Sequence, residues 1–445
     1  MPYSLKRVSI LFFFGILSYA SVAQHSNITT AINNAPKNEL KSLDLVIAFI
    51  QNHATTDVEK AYGVYYWIAR NIKYDIKNYE KNKGSYTIPN DIFEKKKAIC
   101  QGYAILYQFM CTRLHIECKV IVGYSKGHDY TNGQAFTRSD HAWNALKLDN
   151  IWYLVDVTWA SGNIKGHRFV AKYSADQFQV NPQVFVSKRL ADIPMWQLLP
   201  NPVSLKTFSA GDKRINDHFK TLLAPPFNFS DSIRVFLAQD SILQTFDSGK
   251  QVIVFNPSNT APLAFAMLNA TTITISKDPK AVQQMSLHTL DSLITSTNTV
   301  NDLLKRAKNK NVAFTKVVAL ATNKTAITLG LLYYYKSITI KHQRDSLNQS
   351  SDSLIIYYQK YLSALENALT EIRKTNLTKF QKTLEPKLCY NYIQLYKTYT
   401  NVIAEETNPT VKNDIEKEQT AFVNRTKKFI TPSNKFYKPL NSQMQ

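Results

Sequence analysis

Leu148-Asp149-Asn150-Ile151 reads as a tight hairpin turn between two strand-like segments. With Asp149 and Asn150 as the two turn residues, 148 pairs with 151, 143 with 156 and 141 with 158. His141, Trp143 and Ala145 then share a sheet face with Leu154, Asp156 and Thr158. His141 and Asp156 become diagonal neighbours, roughly 7–8 Å apart between backbones and within side-chain reach. A carboxylate beside an imidazole fixes its tautomer and supports its charged form, and that imidazole can take a proton from a thiol. A turn one residue longer or shorter would put the two on opposite faces.

A thiol is supplied by Ala98-Ile99-Cys100-Gln101-Gly102-Tyr103-Ala104. The approach, Glu94-Lys95-Lys96-Lys97, is charged and shows no strand alternation. After it, Ile105/Leu106, Phe109/Met110 and Leu114 mark an amphipathic helix, so Cys100 sits at or just before a helix N-terminus. Unpaired N–H groups and the helix dipole favour a thiolate there. A lone His or Asp most often only satisfies local hydrogen bonds; the conjunction with Cys100 points to thiol chemistry. His128, in Lys126-Gly127-His128-Asp129, is a rival base in a loop-like stretch without a paired strand.

The chain has 445 residues, 12 of them glycine against 25 tyrosine and 23 phenylalanine, which argues against glycine-rich phosphate-binding architectures. Residues 24–205 mix helical and strand patterns and hold all five tryptophans. Residues 206–280 form an unassigned connection with Pro225-Pro226, Asn256-Pro257 and a strand-like run, Thr271 to Ile275. From 281 to 445 the pattern is helical: Leu354, Tyr358, Tyr361, Leu365, Leu369 and Ile372 step by 4, 3, 4, 4 and 3.

Lys6-Arg7, an apolar run from Val8 to Leu17 and Ser21-Val22-Ala23 form the pattern of a secretory signal peptide over 1–23, cleaved after Ala23. The expected destination is secreted or periplasmic. The run Ala326 to Tyr335 is too short to span a bilayer, so no transmembrane segment is expected after cleavage. The formal charge is +21. Residues 24–205 carry 21 basic and 15 acidic groups, and residues 206–445 carry 31 and 18. Dispersed lysine on helices reads first as a solvated face; its functional counterpart is an anionic envelope polymer bound by the basic C-terminal half. Nucleic acid is not expected, since neither zinc-finger spacing nor an aromatic RNA signature is present.

Cys111 falls late in the Cys100 helix, and Cys118 opens a strand. Two readings stand: a disulfide in an oxidising compartment, or two small buried residues. Cys389 reads as a buried thiol of the helical half. Trp143, Trp152, Tyr153 and Trp159 read as core and rim packing before substrate platforms.

Together, Ala98-Ile99-Cys100-Gln101-Gly102-Tyr103-Ala104, Asp140-His141-Ala142-Trp143-Asn144 and Trp152-Tyr153-Leu154-Val155-Asp156-Val157-Thr158-Trp159 resemble the nucleophile, His and Asp segments of the transglutaminase-like superfamily. Glu59-Lys60-Ala61 through Tyr74-Asp75 resembles the helix before that core. Trp196-Gln197-Leu198-Leu199 with Pro202 resembles a tail of the subgroup typified by kyphoscoliosis peptidase and cytokinesis-linked proteins. That subgroup tends to place a His before this tail, where Lys188-Arg189 stands here. The resemblance covers residues 55–205. It implies an α+β, papain-like core, a helix-start Cys packed on an antiparallel sheet, and here a mostly α-helical C-terminal region follows.

The resemblance further implies acyl transfer through a thioester, with Cys100 as nucleophile, His141 as base and then acid, and Asp156 orienting it. No metal or organic cofactor is needed. The expectation is therefore an exported cysteine peptidase or amidase acting on a protein or peptide. Two alternatives remain: a catalytically idle envelope binding or scaffolding protein, and a cross-linking transglutaminase.

Overall fold

The fold is taken from a computed structural model that describes residues 26–81, 86–128, 130–131, 133–221, 225–307, 312–342, 351–426 and 429. The signal-peptide expectation lies outside the described residues. Among the described residues two compact units emerge, one of 26–259 with 312–314 and one of 260–307 with 315–429.

In the first unit, β1 (Cys118–Ser125), β2 (His141–Leu148), β3 (Ile151–Val155) and β4 (Arg189–Ala191) form a four-stranded sheet ordered β3-β2-β1-β4. All neighbouring pairs are antiparallel. The turn from β2 to β3 is the two-residue hairpin expected: Asp149 and Asn150 take positive φ, 47° and 63°, a conformation these two residue types tolerate. Leu148 pairs with Ile151 across it.

The sequence expectation carried the strand through Thr158. The structure corrects it: β3 ends at Val155, and Val157–Ser161 is a short helix whose N-cap is Asp156. Asp is a preferred cap residue because its carboxylate accepts the N–H groups a helix start leaves unpaired. Residues 143 and 156 are still opposite by extrapolation, while 158 has left the ladder.

β2 is buried almost throughout because both its faces are covered. Leu146 and Leu148 join one apolar core, while Trp143 and Ala145 join another with Phe185, Ile193 and Ile233. Gly123 of β1 pairs with His141 on one side and Ala191 on the other. A Cβ at Gly123 would overlap the Leu190 carbonyl oxygen and the Trp143 ring, so the closeness of three strands there requires glycine.

Two helices support the start of the thiol segment. α1 (Asp57–Asn71) opens with a reciprocal cap: Thr56 Oγ1 accepts the Glu59 N–H at 3.1 Å, and the Glu59 carboxylate accepts the Thr55 N–H at 2.7 Å. From Ala61 to Ala69 every residue of α1 is buried. α2 (Cys100–Arg113) packs against it. The Tyr103 hydroxyl donates to the Ile72 carbonyl at 2.6 Å and the Asn144 amide donates to the Ala104 carbonyl at 3.0 Å. Both bonds satisfy buried polar groups and fix the first turn of α2 against the sheet. The approach to α2 holds one feature the charged sequence hid: Lys97–Ala98 pairs in parallel with Lys73–Tyr74.

The mixed part was expected to end near residue 205, yet the first unit continues to Asn259. Phe208, Ile215, Ile233 and Val252 are buried in its cores, on helices that the polar sequence between them obscured.

The second unit is helical among the described residues. Its longer helices are Ala261–Lys277, Leu287–Arg306, Val312–His342, Ser351–Arg373, Thr378–Glu405 and Pro409–Thr426. Of the helical face read from the sequence, Tyr358, Tyr361, Leu365, Leu369 and Ile372 are buried, in one core with Leu384, Leu388, Tyr392 and Tyr399. The strand-like reading of Thr271 to Ile275 is overturned. These residues are helical, and the hydroxyls of Thr271, Thr272 and Thr274 donate to the carbonyls four residues back at 3.1, 2.6 and 3.0 Å. Those local bonds satisfy the hydroxyls within the helix, and packing of its buried residues, Thr271 and Ile275 among them, outweighs the weak helix propensity of β-branched residues. No helix of the described residues is long and apolar enough to cross a membrane.

Candidate active site

Cys100 is the first residue of α2, preceded by Ile99 as an N-cap without a side-chain hydrogen bond. It is half-buried, while His141 and Asp156 are buried at 7% and 0% exposure. The site is therefore a partly open thiol backed by a closed ion pair.

His141, the first residue of β2, meets Asp156 at the end of β3: Nε2 lies 2.8 Å from Oδ2. Since Nε2 is engaged by Asp156, Nδ1 is the nitrogen left for the Cys100 side chain, which is near enough to favour the charged ring. The three residues singled out in the sequence are thus brought together, in the order thiol, imidazole, carboxylate.

Electrostatics support the charged imidazole. Burial opposes it, but the Asp156 carboxylate, its hydrogen bond and the Cys100 side chain outweigh burial and raise the His141 pKa. Burial likewise opposes the Asp156 carboxylate, and the charge and hydrogen bond of His141 overcome it, followed by Arg189 and the Trp159 N–H; its pKa falls. The two shifts agree: each partner holds the other in its ionised form.

One residue at this site was not read from the sequence. Arg189 of β4 is 4% exposed, and its Nη1 lies 2.9 Å from Asp156 Oδ2 and 2.7 Å from Gln177 Oε1. Its guanidinium carbon sits 4.3 Å from the Trp159 ring centre and 3.8 Å from that of Phe185. Sequence reasoning noted Lys188-Arg189 only as a departure from a family pattern. A basic pair ordinarily faces water, and the partner carboxylate is far away in the chain.

A cavity of about 360 Å³ adjoins His141. Tyr74, Tyr79, Trp159, Ile164 and Phe169 give it an apolar and aromatic wall, and Lys126, Gly127 and His128 line it from the segment after β1. His128, the rival base, is exposed on that rim. Trp143 and Trp152 are packing residues, the latter edge-on to Trp196, whereas Trp159 also faces the cavity.

Cys111 and Cys118 are both free and buried in one core. Burial pushes the Cys118 thiol up, and the Cys111 side chain hydrogen-bonded to it adds to that. Cys389 is free and buried in the second unit. No group of three or more metal-ligating side chains occurs among the described residues.

Residues 47–157 form a transglutaminase-like domain, matching the transglutaminase-like superfamily over a span that includes Cys100, His141 and Asp156. Kyphoscoliosis peptidase of Homo sapiens is 37% identical over 169 residues, 37% of this chain and 26% of that protein. The LIM and transglutaminase domain protein ltd-1 of Caenorhabditis elegans is 28% identical over 207 residues, 43% of this chain and 28% of that protein. Hillarin of Drosophila melanogaster is 26% identical over 193 residues, 40% and 23% respectively. The chain thus covers about a quarter of the length of these relatives. A solved structure titled as that of a TGase aligns with 37% of this chain and 43% of its own at 20% identity and a TM-score of 0.22.

Proposed function

We propose that the first unit is a cysteine-dependent acyl-transfer enzyme, a peptidase or amidase, with Cys100 as nucleophile, His141 as base and acid, and Asp156 as its orienting partner. The observation that carries this reading is the buried 2.8 Å contact of His141 with Asp156 behind a half-buried thiol at a helix start.

The steps follow from those positions. The thiol proton passes to His141 Nδ1, and Sγ attacks the amide carbon of a bound peptide. The Cys100 N–H, pointing out of the first helical turn, stabilises the oxygen that takes up charge. The C–N bond breaks as His141 returns the proton to the leaving amine, giving a thioester. Water then adds to the thioester with His141 as base, the acid leaves, and the thiol is restored. An amine in place of water gives transfer instead. We further propose that the chain is exported, on the strength of the N-terminal charge and apolar pattern.

The test is acylation by p-nitrophenyl acetate with rapid acid quench and peptide mapping. A burst of nitrophenolate with one acetyl group on Cys100, lost in Cys100→Ala and slowed in His141→Ala, is expected. Added glycine methyl ester, partitioning against water, reads hydrolysis against transfer. An adduct spread over lysines, or equal in His141→Ala, contradicts the reading and favours an idle binding fold.

A further inference from the structure

We infer that Arg189 is a positioning residue that acts through Asp156 and sets how firmly His141 holds its proton. This rests on the triad reading above.

The geometry separates this role from ordinary anchoring. Asp156 has two oxygens. Oδ1 accepts the Trp159 N–H at 3.0 Å, so it is committed to the helix cap. Oδ2 accepts both His141, at 2.8 Å, and Arg189, at 2.9 Å. The guanidinium therefore draws on the same oxygen that the imidazole uses.

Two consequences follow from a permanent positive charge placed there. It keeps Asp156 ionised, so the imidazole always faces a carboxylate. It also competes for the charge of Oδ2 and repels an imidazolium one carboxylate away, which makes His141 a better acid toward a leaving amine than a lone Asp–His pair would give.

The support around Arg189 is rigid. Its guanidinium lies between the Trp159 and Phe185 rings. Gln177 accepts from Arg189 Nη1 through its side chain and from the Asp156 N–H, at 2.9 Å, through its carbonyl oxygen. The strand ladder fixes Arg189 opposite Ser125. Arginine and carboxylate are thus held in register from both the backbone and the side-chain side.

The experiment is a titration of the His141 ring by NMR in 13C-histidine-labelled Cys100→Ala protein, its resonance assigned by loss in His141→Ala. Arg189→Met keeps bulk and ring contact without the charge; Arg189→Lys keeps the charge. Arg189→Met is expected to move the His141 midpoint up by about one pH unit or more, and Arg189→Lys to bring it back toward wild type. In protein with Cys100 present, Arg189→Met should move the alkaline limb of kcat/KM the same way and lower its plateau about tenfold.

An unmoved midpoint in folded Arg189→Met, with only a lower Tm, overturns the inference and leaves Arg189 as a strand anchor. A His141 midpoint near 6.5, unmoved by Asp156→Asn as well as by Arg189→Met, overturns the triad reading and this inference with it.

Discussion

Asp156 divides its carboxylate between His141 and the backbone: Oδ2 meets His141 Nε2 at 2.8 Å, while Oδ1 accepts the Trp159 N–H at 3.0 Å. The residue that follows β3 and caps the next helix is therefore also the one that orients the imidazole, and its substitutions should separate the two roles. Asp156→Asn keeps an oxygen for the cap but leaves the buried Arg189 guanidinium without its carboxylate, so acylation of Cys100 should fall about 10³-fold or more and stability by about 3 kcal/mol. Asp156→Ala should lose the same activity and a further ~1–2 kcal/mol of stability through the cap. Burst kinetics and urea melts on both variants check this.

The pairing of Gly123 with His141 gives a second expectation. Gly123→Ala places a methyl group on the Leu190 carbonyl and the Trp143 ring, and the carbonyl cannot retreat without parting β1 from β4. The variant should lose about 3 kcal/mol or more, with hydrogen exchange accelerated first at Leu190 and Ala191. Native-state exchange by mass spectrometry reads both.

Asp192 is a buried carboxyl that the proposed mechanism does not use. Burial raises its pKa to about 7, against the hydrogen bond from Ser139 Oγ at 2.7 Å. Ser139 in turn accepts from Asn259 at 3.0 Å. The folded protein keeps the proton that the unfolded chain releases above about pH 4, so stability should decline as pH rises from about 4 to about 7 and then level off. Asp192→Asn should remove that decline and stabilise the first unit at pH 8 by up to roughly 4 kcal/mol. Unfolding midpoints at pH 4.5, 6 and 8 test the sign.

In the second unit Glu366 is nearly buried and accepts from the Tyr392 hydroxyl at 2.8 Å, while Arg425 reaches both of its oxygens at 3.1 Å. Arg425→Met leaves that carboxylate unpaired. Because Arg425 is 43% exposed, water offsets part of the loss, and we expect a cost of about 2 kcal/mol. Glu366→Gln in the same background should recover most of it.

Much of this arrangement was legible in the sequence because it depends on short-range rules. A two-residue turn fixes register, and register alone sets which residues face one another, so His141 and Asp156 could be paired without knowing where the strand ended. The helix carrying Cys100 announced itself through spacing. What escaped depends on partners distant in the chain. Arg189 looked like a solvent-facing base because its carboxylate lies on another strand. Thr271 to Ile275 looked like a strand because composition does not reveal hydroxyls bonded back to their own helix. Residues 206–280 could not be assigned because Phe208, Ile215 and Ile233 sit singly among polar residues, and only the folded core shows what they pack against.

The central claim is that His141, held by Asp156, activates Cys100. It is tested most directly by iodoacetamide labelling at about pH 6.5, below the pKa of a free thiol, with peptide mapping of wild type and His141→Ala. The account predicts fast labelling confined to Cys100 and slowed at least tenfold in the variant, while Cys111, Cys118 and Cys389 stay unlabelled in the folded protein. Labelling of Cys100 as slow as that of the buried cysteines, or unchanged in His141→Ala, would contradict it.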